Sequence, residues 1–292
     1  MSSILTNSSA MVALQTMKSV NKSMAKVQDE ISTGLKVATA KDNGAVWAVA
    51  QVMRSDIKGL QTVSEQLSLG SSTVGTARAA SESISDMLTT AKQKIAAGGD
   101  LSSVATRETL ADAINALGEQ INDIVSSAAL NGVNMIGTAG ATAADVPTGP
   151  GETEYNIVGA ITRAADGTIG TQTITITTQD LSGVGAILTG VTEADFADAN
   201  SLAALLTTIE AEVTTVNSAA SAFGTAQNQI EIQGEFVSKF IDSLKDGMGA
   251  MVDADMEEAS ARLSALQTQQ QLGIQALSIA NSAPQNVLSL FR

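Results

Sequence analysis

Apolar residues recur along most of the chain in alternating steps of three and four, which places them on one stripe of an α-helix. Near the amino terminus every position of the stripe is apolar: Ala10, Ala13, Met17, Val20, Met24, Val27 and Ile31. Further stripes run from Leu60 to Ile95, from Leu110 to Ala128, from Ile209 to Met251 and from Met256 to Ala280. Stripes of this length are typical of helices that pack as coiled coils.

Segment 137–200 breaks this helical periodicity. It is rich in Gly and Thr, and the stretch "TQTITITT" at 171–178 alternates with the period of two that predicts a β-strand. The sequence therefore predicts a mainly α protein, an elongated coiled-coil-like helical hairpin or bundle formed by both chain ends, with a small β-rich insert at its outer tip. The predicted parts are an amino-terminal inner helix (1–40), an outer helical rod (41–136), the variable surface insert (137–200), the returning rod (201–250) and a carboxyl-terminal inner helix (251–292).

Composition supports packing between helices more than a conventional globular core. Aromatic residues make up 2% of the chain and there are three Pro, so large rings and helix breakers are both scarce. The alternative interpretation, ordinary amphipathic helices around a globular core, would usually need more aromatic side chains. Trp47 follows the turn-forming pair Asn43-Gly44, so we expect it to anchor packing where the chain turns between an inner and an outer helix.

The chain offers little material for catalysis or metal binding. It has no Cys and no His, which removes disulfides, thiolate ligands and the commonest general base. The run "DADMEE" at 253–258 fails the calcium-loop pattern, because Glu258 and Ser264 stand where that loop needs Gly and an acid. We interpret these acids as helix-start groups favoured by the helix dipole. We expect no enzymatic activity, no cofactor and no metal site.

Charge is unevenly spread along a chain whose net charge is −14. Residues 1–60 hold seven basic and four acidic groups, whereas the insert holds eight acidic groups and one Arg. The acidic balance argues against a nucleic-acid partner, and the opposite signs of the two chain ends favour their mutual attraction. Because no stretch approaches the ~18–20 apolar residues of a membrane span, we also expect no membrane insertion.

Several segments of the chain resemble bacterial flagellins, most closely those of alphaproteobacteria. The stretch "ISTGLKVATAKDN" at 31–43 resembles the signature of that family, "LNGVNMI" at 130–136 resembles its turn, and "PQNVLSLFR" at 284–292 is similar to its carboxyl-terminal end. The residues that match the signature and the turn are Gly34, Leu35, Ala40, Lys41, Asp42, Asn43, Asn131 and Gly132. The resemblance covers roughly residues 1–136 and 205–292.

That resemblance implies a structural subunit that polymerises, in many copies, into the helical filament of the bacterial flagellum used for swimming. The subunit would be secreted unfolded by the flagellar type III export apparatus with the help of an export chaperone. It would then assemble at the filament tip beneath the cap protein, on a filament that starts at the hook–filament junction proteins. The terminal helices would line the filament lumen, and the insert would face outward.

We expect interface residues, not catalytic ones, to carry this function. On the amino-terminal helix they are Leu14, Met17, Met24, Val27 and Ile31. Their expected partners are Leu263, Leu266, Leu277, Val287, Leu288, Leu290 and Phe291. Most domains end in polar residues, so an apolar chain end such as this one is best explained by burial between copies in a polymer.

Two alternative functions fit part of the sequence. A hook–filament junction protein has related terminal helices, but the segment at 31–60 and the end at 284–292 favour flagellin. A cytoplasmic signalling coiled coil would share the long helices. It would place polar residues at the helical turn instead of a Thr-rich insert, and it would not need apolar ends.

Overall fold

The computed structural model of the protein describes residues 7–98, 103–137, 154–164 and 167–289, and from residue 283 onward only the backbone. Its elements are α1 (Ser8–Thr33), α2 (Gly44–Ala97), α3 (Val104–Ser127), β1 (Ala129–Leu130), β2 (Val133–Asn134), β3 (Glu154–Arg163), β4 (Ile169–Thr177), α4 (Val184–Thr189), a 3-10 helix (Glu193–Phe196), α5 (Ala199–Val252) and α6 (Met256–Ser289). The prediction of a mainly α protein with a small β-rich insert is confirmed.

The chain divides into two compact units. Unit 1 contains residues 1–57 and 242–292, and unit 2 contains residues 58–241. The five-part division made from the sequence stays a prediction. None of the described helices combines the length and the hydropathy of a membrane span.

In unit 1, α1 and α6 pack against each other in antiparallel directions. Asn7 Nδ2 at the start of α1 donates to the carbonyl oxygen of Ala280 (2.7 Å), late in α6. Further along α1, Gln270 Nε2 donates to Asn21 Oδ1 (2.8 Å). Polar pairs beside an apolar seam fix the register of two helices, so these bonds help to set how α1 and α6 align.

The ends of these helices are marked by residues that satisfy free backbone groups. Asn7 Oδ1 accepts a hydrogen bond from the Ala10 N–H (3.1 Å) and so caps α1. Gly34 ends α1 in the left-handed conformation (φ 70°), which glycine adopts without steric cost. Asp255 Oδ1 accepts from the N–H groups of Glu257 (2.9 Å) and Glu258 (3.1 Å). The interpretation of this acidic run as a helix start is therefore confirmed.

Unit 2 is held by the stripes of α2 and α5. All eleven stripe positions from Leu60 to Ile95 are buried, and the α5 positions between Ile209 and Ile241 are buried or half-buried. Three polar contacts seven residues apart on α2 join the helices in antiparallel directions. They are Arg78 Nε to Gln227 Oε1 (3.0 Å), Ser85 Oγ to Asn217 Oδ1 (2.7 Å) and an ion pair between Lys92 and Glu210.

The β-hairpin of the insert packs against the side of α2 and α5. β3 pairs antiparallel with β4. A Cβ at Gly59 would lie 2.9 Å from Ile161 Cδ1, and a Cβ at Gly70 would overlap Ile157. Gln233 Nε2 on α5 donates to the Gly159 carbonyl oxygen (2.9 Å). The physical reason is that β3 has an apolar face to bury, and the two glycines let it approach α2 closely.

The second part of the insert covers α3. The buried positions of this helix are Ala111, Ile114, Gly118, Ile121 and Val125. Of the predicted stripe, Ile114, Ile121 and Ala128 are buried, and Leu110, Leu117 and Ile124 are half-buried. A Cβ at Gly118 would lie 2.8 Å from the Gly185 carbonyl oxygen of α4, so the absence of a side chain lets the backbones approach. The described parts of the insert therefore pack against the helices of unit 2.

Candidate assembly surfaces

The seam between α1 and α6 contains most of the residues predicted to form an interface. On α1, Val27 is buried, and Met17, Met24 and Ile31 are half-buried. On α6 the half-buried members are Leu263, Leu266 and Leu277. The structure thus brings the two predicted sets onto facing helices of one chain. Two helices alone cannot enclose a seam, so these side chains stay partly accessible to further copies.

The remaining predicted residues lie elsewhere. Leu14 is 43% exposed and lies off the α1 stripe. Val287 and Leu288 fall in the last turns of α6, where only the backbone is described. Leu290 and Phe291 lie outside the described residues.

The end of the α1–α6 pair that lies away from residues 31–43 exposes apolar side chains, and of these only Leu14 belongs to the predicted interface. The large exposed ones at this end of the pair are Met11, Val12, Leu14, Leu272, Ile274 and Ile279. Residues 7–17 and 263–289 contain no charged side chain. We call residues 7–17 and 263–282 the uncharged end. Exposed apolar surface of this kind marks protein–protein contact sites. The sequence signal for this surface was the presence of apolar residues that lie off the stripe.

A second exposed apolar surface lies on α5 in unit 2. Ile232, Phe236 and Phe240, each four residues after the last, are 62%, 56% and 41% exposed. The rings of Phe236 and Phe240 stack with centroids 6.1 Å apart. We call these three residues the aromatic strip. The neighbouring stripe residues Val237 and Ile241 are buried, so α5 carries one apolar face inward and a second outward.

The signature segment forms a joint between α1, α2 and the start of α6. Leu35 pairs with Asp253 in a short antiparallel bridge. The Lys36 N–H donates to the Val252 carbonyl oxygen (2.7 Å), and the Ala254 N–H donates to the Gly34 carbonyl oxygen (2.9 Å). Beside this bridge, Trp47 packs against a buried cluster of Val37, Ala50 and Val252. The predicted role of Trp47 as a packing anchor at the turn is confirmed.

The turn before α2 is closed by two acceptors. One oxygen of Asp42 accepts from the Thr39 N–H (3.0 Å) and the Thr39 hydroxyl (2.9 Å). These hydrogen bonds to Thr39 lower the pKa of Asp42 below its ordinary value. Asn43 Oδ1 accepts from the Val46 N–H (3.2 Å) and caps α2. Ala40 and Lys41 are exposed within the turn.

Acidification is expected to loosen this turn. Because the pKa of Asp42 is lower in the folded chain, its contribution to stability is present above about pH 4 and is lost as the pH falls through the folded value. Asp42→Ala should weaken the turn already at neutral pH and flatten its response to acid. Trp47 is the single Trp of the chain. Its fluorescence emission, recorded between about pH 6 and pH 2, measures the loosening of the turn. Asp86→Ala, an exposed acid on α2, is the control, and identical acid transitions in all three proteins would refute the role of Asp42.

The Asn131-Gly132 pair forms the turn between β1 and β2. Both residues have positive φ values, 52° and 80°, as a two-residue hairpin turn requires. Asn134, just after this turn, donates through Nδ2 to the Val125 carbonyl oxygen (2.6 Å). Its Oδ1 accepts from the N–H groups of Ile136 (3.0 Å) and Gly137 (2.9 Å). This motif ends α3 and directs the chain into the insert, which is a structural role.

Among the described residues, no three His, Cys, Asp or Glu side chains lie close enough together to hold a metal ion. The features that the described part of the chain does present are exposed apolar surfaces on helices. The arrangement is therefore suited to binding other protein surfaces.

Comparison with known proteins identifies relatives over the whole chain. Residues 4–140 match the family model of the bacterial flagellin N-terminal helical region, and residues 206–291 match that of the bacterial flagellin C-terminal helical region. A flagellin of Brucella melitensis is 37% identical and aligns over 100% of both chains. Flagellin C of Rhizobium meliloti is 34% identical over 100% of both chains. Flagellin FljJ of Caulobacter vibrioides is 38% identical over 99% of this chain and 98% of its own.

Proposed function

This chain belongs to the bacterial flagellin family, and we propose that it is the structural subunit of an extracellular, helical flagellar filament that drives swimming. The observation that carries this proposal is the pairing of the two family regions. The chain ends that match those models fold as one antiparallel pair, α1 and α6, whose uncharged end exposes large apolar side chains. Such a surface is expected to be covered by other copies.

We further propose how the terminal helices take part in assembly. Within each copy, Met17, Met24, Val27 and Ile31 face α6. The exposed apolar side chains of the uncharged end, Leu14 among them, contact neighbouring copies, together with the apolar residues Val287, Leu288, Leu290 and Phe291 at the end of the chain. A contact between two different surfaces of successive copies, repeated without closing, generates a helical fibre.

The flagellin family is structural, and we propose that this chain has no catalytic activity of its own. The absence of His and Cys from the sequence supports this, because it removes the commonest general base and the thiol nucleophile. The exposed apolar helices are explained by assembly and need no substrate.

We also propose the route by which the subunit reaches the filament. The chain has no Cys, so no disulfide has to be opened for it to pass unfolded through a type III export channel. An export chaperone would cover the apolar carboxyl-terminal segment before export. The cap and hook–filament junction proteins would meet the subunit at the tip and at the base of the filament.

Negative-stain electron microscopy of the purified chain tests the proposed function. The protein is dissociated by mild acid or heat and returned to neutral buffer with a precipitating salt, which strengthens apolar burial. Long filaments of uniform diameter are expected. Folded particles that never elongate, at any protein concentration, would refute a self-assembling subunit and favour a protein that needs a different partner, such as a junction protein.

A further inference from the structure

Three lysines form a row on the exposed side of α1. Lys18, Lys22 and Lys26 are spaced four residues apart, so they lie along one edge of the helix, and all three are exposed. Residues 1–28 contain no Asp or Glu. Of these three lysines, only Lys26 has an ion-pair partner among the described residues, namely Glu30 at 3.7 Å. We call these three residues the lysine row. Lys18 and Lys22 therefore present positive charge that no ion pair of the described residues offsets, on a chain whose net charge is −14.

Exposed carboxylates lie further along the same helix pair, where α1 ends and α6 begins. They are Asp29, Asp253 and Glu257, and we call them the acidic collar. The bridge between Leu35 and Asp253 brings the end of α1 and the start of α6 to the same level. None of the three carboxylates has an ion-pair partner among the described residues, whereas the adjacent Glu258 pairs with Arg262 (3.0 Å). Unit 1 therefore carries two exposed surfaces of opposite charge that follow each other along the axis of α1, with Lys26 and Asp29 three residues apart.

Two such surfaces suit an open polymer. A polymer that grows without closing needs a contact between two different, complementary surfaces of successive copies. Since the lysine row and the acidic collar both belong to unit 1, a neighbour displaced along the axis of α1 can set its collar against the row. Exposed apolar side chains of the uncharged end continue along α1 from the row and would be covered by the same neighbour.

We propose that the lysine row of one copy docks on the acidic collar of a second copy of this chain. The proposal rests on the proposed function and identifies the charged part of the contact between subunits. Charge complementarity accelerates encounter and sets the register of two surfaces. In the absence of a precipitating salt, rising sodium chloride should therefore slow filament growth, because the Debye length falls from ~10 Å at 0.1 M to ~3 Å at 1 M.

Charge-reversal variants of the full chain test this contact. One variant carries Lys18→Glu and Lys22→Glu, and the other carries Asp253→Lys and Glu257→Lys. Each alone should raise the critical concentration for assembly by roughly 10-fold or more, because like charges then face each other across the contact. A 1:1 mixture should grow again, within about threefold of the unmodified chain, because each variant offers the surface that the other requires. Lys58→Glu with Lys94→Glu, two exposed lysines of α2, gives the same change in net charge as the lysine-row variant and is its matched control.

Sedimentation and light scattering give the critical concentration, and circular dichroism checks that each variant is folded. Growth of both variants at the critical concentration of the unmodified chain would overturn the docking proposal while leaving the filament function intact. The docking proposal would also be overturned if both variants were folded but their 1:1 mixture did not grow. It would be overturned as well if the control variant lost assembly to the same degree. Failure of the unmodified chain to form filaments would instead count against the proposed function.

Discussion

Removal of residues 283–292 is expected to abolish filament growth while leaving unit 2 folded. The removed segment carries Val287, Leu288, Leu290 and Phe291. A two-helix pair buries little surface in one copy, so its stability in the polymer depends on apolar contacts with neighbours. The stripes of unit 2 are buried within residues 58–241, and the deletion does not touch them.

Electron microscopy and sedimentation measure growth of the truncated chain, and thermal unfolding followed by circular dichroism measures unit 2. A full-length chain with Gln285→Ala and Ser289→Ala is the control, because it alters the same segment without removing apolar side chains. The main unfolding transition should keep its midpoint in all three proteins. If the truncated chain polymerised at the critical concentration of the full chain, the assignment of the carboxyl-terminal end to the interface would be wrong.

Replacement of Phe223 and of Phe236 by Ala is expected to separate folding from assembly. Both residues lie on α5, but Phe223 is 0% exposed and Phe236 is 56% exposed. Phe223→Ala leaves a cavity between the packed stripes of unit 2 and should lower its free energy of unfolding by about 3–5 kcal/mol. Phe236→Ala removes a ring that stacks on Phe240 in solvent, so it should cost less than ~1 kcal/mol. If the aromatic strip is covered by a neighbour, the same change should impair assembly.

Urea unfolding followed by circular dichroism gives the two free energies, and filament growth is measured below the unfolding range. Lys239→Ala is the control. Lys239 is an exposed residue next to the aromatic strip on α5, so this variant changes the same surface without removing an apolar ring. Equal loss of stability in the two Phe variants would contradict the burial pattern of α5. Normal assembly of Phe236→Ala would show that the contact between copies does not need the aromatic strip.

The helices could be predicted well because their signal is local. The stripe from Leu60 to Ile95 is buried at every predicted position, since a long run with helical spacing has no competing structure that buries the same residues. The turn at Asn43-Gly44 and the helix start at Asp255 also follow from neighbouring residues. In each case a side chain caps backbone groups only two or three positions away.

The insert was harder to place because its contacts are distant in sequence. Gly70 lies within the α2 stripe, and Gly59 lies just before it. No residue near them in the sequence indicates that Ile157 approaches Gly70 or that Ile161 approaches Gly59. The same holds for Gly118 and its close contact with Gly185. Loop closure over such distances depends on which apolar faces remain uncovered once the helices have formed.

By itself, the sequence determined the mainly α fold, the resemblance at both chain ends and the stripes that pair α1 with α6. These features follow from periodicity and from short motifs. Only the tertiary structure decided that the hairpin lies along α2 and α5, and that Met11, Ile279 and Phe236 remain exposed. A residue's burial depends on whether another element covers its face of the helix, and that element can be any distance away along the chain. The surfaces left uncovered in one copy are those we assign to its neighbours.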